Sequence, residues 1–280
     1  GSRGWRAWMH SADGQVLHPL GDPDLGLDRP VWMADGSALV AIGRAVAGEP
    51  RGIYLADPSG PILRRVTNDS VDWAVAAPSP DGATIAAVGL REGVAGHELV
   101  LMDMQGVVTA RVAGAGPEGI RTIRPAWSPD GSQVAYLVAS EARDGPDELR
   151  VMAIDTLQPT VLGELQSHFS ERKQRMDWYP DDNALLVVDR GPGDTRYHLY
   201  RLDLDDGSMT RLAPRFAESI MPSIGPIASP DRKGGDLVAP PFVEGPATDP
   251  ATGHVYYAVF TERRISWVEA DAEAGEMRHE

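Results

Sequence analysis

A short motif returns at nearly constant spacing along this chain, and this repetition constrains the fold more than any other feature of the sequence. In its fullest form it reads Pro-Ala-Trp-Ser-Pro-Asp-Gly, from Pro125 to Gly131. The equivalent positions of the repeats are Trp32, Pro78, Trp127, Trp178 and Ala228. The steps between them are 46, 49, 51 and 50 residues. A near-constant step of this length predicts one small sheet built several times over.

Each repeat has the pattern of two β-hairpins. The Pro-Asp-Gly sequence supplies turn chemistry between a first and a second strand, because Pro presets φ, Asp bonds its own backbone and Gly accepts a positive φ. A second pair of apolar strands follows, so that two hairpins make a four-stranded blade. Such blades bury both faces by packing in a ring. The sequence therefore predicts an all-β fold, a β-propeller of four-stranded antiparallel blades.

The repeats are expected to form a single propeller domain over residues 1–280. Clear blades are expected at about 30–67, 73–113, 125–163 and 176–213. An irregular blade is expected at 222–270, and an N-terminal hairpin at 5–19 is expected to help the C-terminal strands close the ring. These segments favour six blades, with five as the alternative. The fixed place of Trp32, Trp127 and Trp178 in the repeat predicts that these rings pack between blades.

The run from Pro125 to Ala135 resembles the PD40 repeat of TolB-like, WD40-like β-propellers. The same pattern recurs over most of the chain. It is specific for the fold and weak for function, because this repeat is used in many settings. Propellers of this kind are mostly extracytoplasmic binding proteins in bacteria, or appendages to peptidases. The resemblance therefore implies an interaction module in the periplasm or at the cell surface.

The charge of the chain limits the partners that it is expected to take. Its formal net charge is −15, which argues against binding to nucleic acid or to anionic lipid, since both are held by Lys and Arg. The absence of Cys excludes disulfides, thiol catalysis and thiolate metal sites. No apolar run is long enough to cross a membrane as a helix, and the sequence leaves open an anchor or further domains outside these residues.

Motifs for catalysis are missing from the sequence, which favours a non-catalytic role. No nucleophile elbow, zinc-protease helix, phosphate-binding loop or dinucleotide fingerprint occurs. The closely spaced carboxylates of Asp203, Asp205 and Asp206 are interpreted as turn residues, although Ca²⁺ also uses such groups. No other cofactor is expected. The alternative function is a Ca²⁺-dependent hydrolase or lactonase with its site in the channel.

Residues just before each innermost strand are predicted to lie at one mouth of the channel. The candidate ligand-binding residues there are Arg29, Asp72, Trp73, Arg121, Arg124, Lys173 and Arg175. Arg suits bidentate capture of a carboxylate, and the ring of Trp73 could stack beside it. The other interpretation is a set of solvated loop charges paired with nearby acids such as Asp28 and Asp72. The hypothesis predicts a protein or peptide partner that carries acidic groups.

Overall fold

The computed structural model is built from β-strands, as the repeat pattern predicts. It describes residues 25–44, 48–58, 63–68, 70–112, 119–121, 123–140, 145–166, 176–181, 183–190 and 197–212, and the backbone alone at 8–10, 17–19, 242–248, 255–261 and 264–269. Within this part of the chain no helix is long and apolar enough to span a membrane. The chain divides into two compact units, Gly1–Arg172 and Lys173–Glu280.

The first unit contains a hairpin and three four-stranded antiparallel sheets, which we call blades 1 to 3. The hairpin consists of β1 (Trp8–His10) and β2 (Leu17–Pro19). Blade 1 consists of β3 (Gly26–Trp32), β4 (Leu39–Arg44), β5 (Gly52–Ala56) and β6 (Leu63–Arg65). Blade 2 consists of β7 (Asp72–Pro78), β8 (Thr84–Leu90), β9 (Glu98–Asp103) and β10 (Val108–Arg111). Blade 3 consists of β11 (Ala126–Trp127), β12 (Gln133–Val138), β13 (Asp147–Ala153) and β14 (Pro159–Leu165).

The second unit contains blade 4 and a smaller sheet. Blade 4 consists of β15 (Met176–Trp178), β16 (Ala184–Arg190), β17 (Tyr197–Asp203) and β18 (Met209–Arg211). A three-stranded antiparallel sheet consists of β19 (Phe242–Thr248), β20 (Val255–Thr261) and β21 (Arg264–Glu269). In all four blades each strand pairs with its neighbour in sequence, so every blade is a meander of two hairpins.

The prediction of six blades, with five as the alternative, is wrong: the described residues form four four-stranded blades. The N-terminal hairpin is a separate two-stranded sheet, and the expected blade at 222–270 is represented by three strands, with residues 222–241 outside the described part. A half-repeat can complete a blade only by pairing strands that are distant in sequence. A local repeat pattern carries no information about such long-range pairing.

The turns between the first and second strands have the chemistry that the motif predicts. Gly82 and Gly131 lie at φ +71° and +74°, and each backbone N–H donates to the carbonyl of the Ser three residues earlier. The hydroxyl of Ser128 donates to Asp130 at 2.7 Å and accepts from the N–H of Gln133 at 2.9 Å. Ser79 makes the corresponding bonds in blade 2. The motif is therefore a structural turn, and its carboxylates serve the backbone.

The core of the first unit lies between neighbouring blades, and blade 2 is buried on both faces. Successive residues of β8 point to opposite faces of the sheet. Ala87 belongs to the apolar cluster shared with Ile42 of blade 1, whereas Val88 belongs to the cluster shared with Tyr136 of blade 3. This explains why β8 is a continuous run of small apolar residues instead of an alternating one.

The three Trp residues of the motif differ in burial. Trp127 packs against the cluster between blades 2 and 3, and its indole N–H bonds to the carbonyl of Ala77 in blade 2. Trp178 in the second unit is 3% exposed. Trp32 is 48% exposed, although Leu39, its cross-strand partner on the same face of blade 1, is 3% exposed. Packing between blades is thus confirmed for Trp127 and not observed for Trp32.

Candidate functional site

Each blade has two ends that differ in their connections. At the loop end the first and third strands begin, and at the turn end the first strand passes into the second through the Asp-containing turn. The loop ends of blades 1 to 3 are aligned. The N–H of Trp73 donates to the carbonyl of Arg51 in blade 1, and the N–H of Ile120 donates to the carbonyl of His97 in blade 2. The first strands of neighbouring blades therefore start at the same end.

Arg29 lies within β3 and links two neighbouring first strands. Its backbone adopts a left-handed φ of +54° at a register shift between Asp28 and Val31. Its Nη1 donates to the carbonyl of Ala74 at 2.6 Å, and Ala74 lies at the corresponding register shift of β7. Its Nε lies 3.5 Å from the Asp28 carboxylate. A left-handed backbone costs an ordinary residue about 1–2 kcal/mol, which the bond to Ala74 of blade 2 and the contact with Asp28 offset.

Asp72 is held between two arginines at the junction of blades 1 and 2. Arg51 donates Nε and Nη2 to the two carboxylate oxygens at 3.0 and 2.9 Å, and its backbone N–H donates as well. Arg44 lies 3.8 Å from the same carboxylate. Burial alone would raise the pKa of Asp72, but the hydrogen bonds and the positive charge of Arg51, together with Arg44, lower the pKa below its usual value. The carboxyl is therefore ionised at neutral pH.

Trp73 is a core residue and offers no face for stacking. It is 2% exposed and belongs to the apolar cluster between blades 1 and 2. Its ring lies over Gly89 on the adjacent strand, where an added Cβ would come within 2.7 Å of the ring. The sequence hypothesis placed this ring beside the arginines. The structure instead points it into the sheet face, because only alternate residues of β7 face away from that cluster.

Arg121 and Arg124 lie at the loop end of blade 3, immediately before its first strand. Arg121 donates Nε to the carboxylate of Asp147 at 2.8 Å, and the Asp147 side chain is 1% exposed. Arg124 is half-buried. Arg121 therefore has a structural task as well as a place on this surface, since it donates to a carboxylate that is almost fully buried. The two remaining candidates, Lys173 and Arg175, lie outside the described residues.

A second pair of arginines contacts the Glu98 carboxylate in blade 2 and was not identified from the sequence. Arg91 donates Nη2 at 2.8 Å and Nε at 3.1 Å to the two carboxylate oxygens of Glu98, and Arg111 approaches it at 3.5 Å. These residues lie just after the second strand, at the start of the third and at the end of the fourth strand of blade 2. The repeated motif marks only the residues before the first strand of a blade. The signal that could have identified these three residues is their position in the blade. In an antiparallel meander the end of the second strand, the start of the third and the end of the fourth all lie at the loop end.

Blade 4, described on its own, also carries arginines at its loop end. Arg190 Nη2 lies 2.6 Å from the Tyr197 hydroxyl, with its guanidinium 4.6 Å from the centre of that ring. Arg211 Nη2 lies 2.9 Å from Nδ1 of the buried His198. The position of arginine at the loop end therefore recurs in the second unit.

The carboxylates of aspartates at the turn end accept hydrogen bonds from the backbone of their own turns. The Asp103 carboxylate accepts from the N–H groups of Gln105 and Val107, both at 2.9 Å. In blade 4 the Asp203 carboxylate accepts from the N–H of Asp205 and pairs with Arg201. Within the described residues no three His, Cys, Asp or Glu side chains are grouped to hold a metal ion. The turn interpretation of this acidic run therefore has direct support from hydrogen bonds.

The chain resembles two solved TolB structures. TolB from Acinetobacter baumannii superposes with a TM-score of 0.59 at 18% identity, covering 95% of this chain and 57% of that protein. A TolB from Agrobacterium tumefaciens superposes with a TM-score of 0.56 at 17% identity, covering 96% of this chain and 86% of that protein. The chain thus spans little more than half of the first protein's length.

A prolyl endopeptidase is also similar, with a TM-score of 0.45 at 16% identity over 66% of this chain and 29% of that protein, which is too weak to carry an argument. No protein-family model and no curated protein matches the sequence. At such low identities the two TolB structures establish the fold alone. On the evidence of its repeated blades and of these two structures, the chain has a TolB-like β-propeller fold.

Proposed function

We propose that this chain is a non-catalytic binding module, which holds a protein or peptide with acidic groups at the loop end of its blades. The observation that carries the proposal is the separation of charge between the two ends of each blade. In blades 1 to 3 the loop-end arginines are Arg44, Arg51, Arg91, Arg111, Arg121 and Arg124, and in blade 4, taken on its own, they are Arg190 and Arg211. The turn-end aspartates are Asp35, Asp57, Asp81, Asp103, Asp130, Asp155, Asp181, Asp203, Asp205 and Asp206. An acidic ligand is repelled by the aspartates of the turn end and can pair with the arginines of the loop end.

Acidic residues at the loop end offset much of the positive charge of its arginines. Asp72, Glu98 and Asp147 are each bound by arginine, and Glu49 and Glu92 are exposed in the connections between second and third strands. Three further acids, Glu148, Glu164 and Asp189, are the residues next to the loop-end terminus of their strands. The loop end is therefore close to charge balance in a chain whose net charge is −15. For an anionic ligand it is the most favourable part of the described surface.

Arg44 and Arg111 are the best placed to meet a ligand. Their side chains are 43% and 46% exposed, and each makes a single contact with a carboxylate that another arginine already holds through three hydrogen bonds. A guanidinium has five N–H donors, so both groups keep donors for bidentate capture of a ligand carboxylate. Their removal would also leave the carboxylates of Asp72 and Glu98 bonded.

We also propose that the 280 residues act as one propeller domain outside the bacterial cytoplasm. The support is the resemblance of the repeat to TolB-type propellers, together with the likeness in fold to the two TolB structures. A protein or peptide partner agrees with the use of propellers as interaction modules.

The test is the affinity of the whole chain for a fluorescent hexaglutamate peptide, measured by anisotropy at low salt. We expect Arg44→Gln/Arg111→Gln to bind it at least about 10-fold more weakly than the wild type, a loss of about 1.4 kcal/mol. Arg64→Gln is the matched control. Arg64 is an exposed arginine that donates to the carbonyl of Met104 beside the Asp103 turn, so Arg64→Gln removes one positive charge far from the loop end. It is compared with the single variants Arg44→Gln and Arg111→Gln, each of which removes one positive charge at the loop end.

Equal binding by the wild type and the double variant would overturn the assignment of the loop end. Binding should also weaken as salt is added, because screening reduces the attraction between exposed charges. Tighter binding of an oligothymidine than of hexaglutamate would point to a nucleic-acid ligand instead. A rise in Tm with Ca²⁺ that a chelator reverses would favour the alternative, a Ca²⁺-dependent hydrolase.

A further inference from the structure

The fourth strand of each blade is the outer edge of its sheet, and the one in blade 3 differs from the other three. Strands β6, β10 and β18 have three, four and three residues. Strand β14 has seven, from Pro159 to Leu165, and ends the order of its sheet. A strand of that length presents about 23 Å of backbone. Its outward N–H and C=O groups can pair with another strand.

The outer strands also differ in charge. Arginine occurs in each of the three short ones, at Arg64 and Arg65 in β6, Arg111 in β10 and Arg211 in β18. Charged side chains and short length are the means by which proteins keep sheet edges from pairing. Strand β14 contains no basic residue, and its one charged residue is Glu164. Three edges of the described blades are thus protected and the fourth is left open to pairing.

The middle of β14 is accessible and apolar. Val161 is 55% exposed, and its neighbours Pro159 and Thr160 are exposed as well. Pro159 lacks an N–H, which restricts pairing to the run that starts at Thr160. A register shift against β13 at Leu162 adds local twist, but the strand continues to Leu165. The pairing edge therefore extends over residues 160–165.

We propose that this edge joins two copies of the chain, with β14 of one copy antiparallel to β14 of the other. The sequence of β14 allows the strand to pair with the same strand of a second copy. When the twofold axis passes Leu162, Thr160 lies opposite Glu164 of the second copy and Val161 lies opposite Gly163. The one charged residue then faces a hydroxyl instead of another carboxylate, so no like charges meet. An isologous contact of this kind closes at two copies and forms one sheet of eight strands.

Salt distinguishes this contact from ligand binding at the loop end. Each copy has a net charge of −15, so the two copies repel each other. Screening therefore strengthens the pairing of copies, whereas it weakens binding of an acidic ligand to arginine. The opposite salt dependences therefore allow the two proposals to be tested separately.

The experiment is sedimentation velocity of the whole chain over about 5–200 µM in buffer with about 0.15 M NaCl. We expect the wild type to shift from monomer to dimer, and Val161→Lys to need at least about 10-fold higher concentration. The control is Val107→Lys, because Val107 is 61% exposed in the turn before the short edge β10. Amide hydrogen exchange at 160–164 should slow as the dimer forms.

A wild-type chain that stays monomeric up to the highest concentration would overturn the proposal. So would a dimer that Val161→Lys leaves intact, or one whose exchange at 160–164 does not slow. Because Val161 is exposed, thermal unfolding of the dilute variants should match that of the wild type, which separates lost association from lost folding.

Discussion

The indole Nε1 of Trp127 donates a hydrogen bond of 3.0 Å to the carbonyl oxygen of Ala77 in the neighbouring blade. The bond joins the first strands of blades 2 and 3. It explains why blade 3 carries Trp at this position instead of another large apolar residue, since the ring fills the space between blades while its N–H satisfies a backbone acceptor.

We expect Trp127→Phe to lower the free energy of unfolding by about 1 kcal/mol, because an aromatic ring is kept while the Ala77 carbonyl loses its donor. The matched control is Trp32→Phe, where a Trp in the equivalent position is 48% exposed and a change within about 0.5 kcal/mol is expected. Urea unfolding measures both. Equal losses at the two sites would contradict a stabilising role for the bond.

Ser128→Ala should destabilise the chain by about 1–3 kcal/mol. The hydroxyl is buried, accepts from the N–H of Gln133 and donates to Asp130, so its loss leaves a turn without both bonds. Ser132→Ala removes a second hydroxyl that bonds Asp130 but is exposed, and a loss below about 0.5 kcal/mol is expected. Urea unfolding measures both variants, and equal shifts of the two urea midpoints would contradict the prediction.

Asp72 should contribute stability that depends on pH. Its pKa is lower in the folded chain than the value of about 3.9 found in unfolded chains, so the folded state binds fewer protons. The contribution is therefore complete above that value and is lost as the pH falls through the lower, folded pKa. We expect Asp72→Asn to cost about 1 kcal/mol at neutral pH, because Asn accepts fewer hydrogen bonds and does not attract Arg51 and Arg44.

The measurement is the difference in unfolding free energy between wild type and Asp72→Asn from neutral pH to about pH 3. The difference should shrink in the acid range, since the wild-type carboxyl becomes neutral there. A difference that stays constant at every pH would show that the carboxyl's charge is not the source of the stability.

Leu157→Gly should stabilise the chain by up to about 1 kcal/mol. Leu157 lies at φ +56° in the turn between the third and fourth strands of blade 3, where blade 4 has Gly207 at φ +70°. Relief of the left-handed strain exceeds the flexibility that Gly adds to the unfolded chain, and little apolar burial is lost from a side chain that is 38% exposed.

Gly106→Ala provides the opposite case in the corresponding turn of blade 2. There φ is +86°, and an added Cβ would clash with the carbonyl oxygen of Val66, so a clear loss of stability is expected. Thermal unfolding of both variants tests the pair. A destabilised Leu157→Gly would show that its side chain makes contacts worth more than the strain.

The turn and strand chemistry of a blade is local, which is why it could be predicted from residue types. Ser128, Asp130 and Gly131 specify a turn through bonds that span at most five residues. The number of blades depends instead on which distant strands pair at the two ends of the chain. Loop closure over such separations leaves no local pattern, and the sequence prediction of six blades failed at that point.

In the candidate site, too, some features could be predicted from the sequence and others could not. Arg29, Arg121 and Arg124 could be selected from the sequence because they lie close to the start of a first strand, which the motif marks. The pairing of Arg44 and Arg51 on Asp72, the pairing of Arg91 and Arg111 on Glu98, and the burial of Trp73 could not. They depend on which strand ends meet and on which face of a sheet each residue occupies.

By itself, therefore, the sequence determined the unit of the fold. A repeat of about 50 residues with a Ser-Pro-Asp-Gly turn encodes a four-stranded blade through short-range hydrogen bonds and apolar strands. Tertiary structure alone decided the rest. It placed arginine and aspartate at opposite ends of the blades, buried Trp73 while exposing Trp32, and left β14 as a long edge strand without a basic residue. Those outcomes arise from contacts between residues far apart in the chain, whose free energies depend on geometry that no local motif contains.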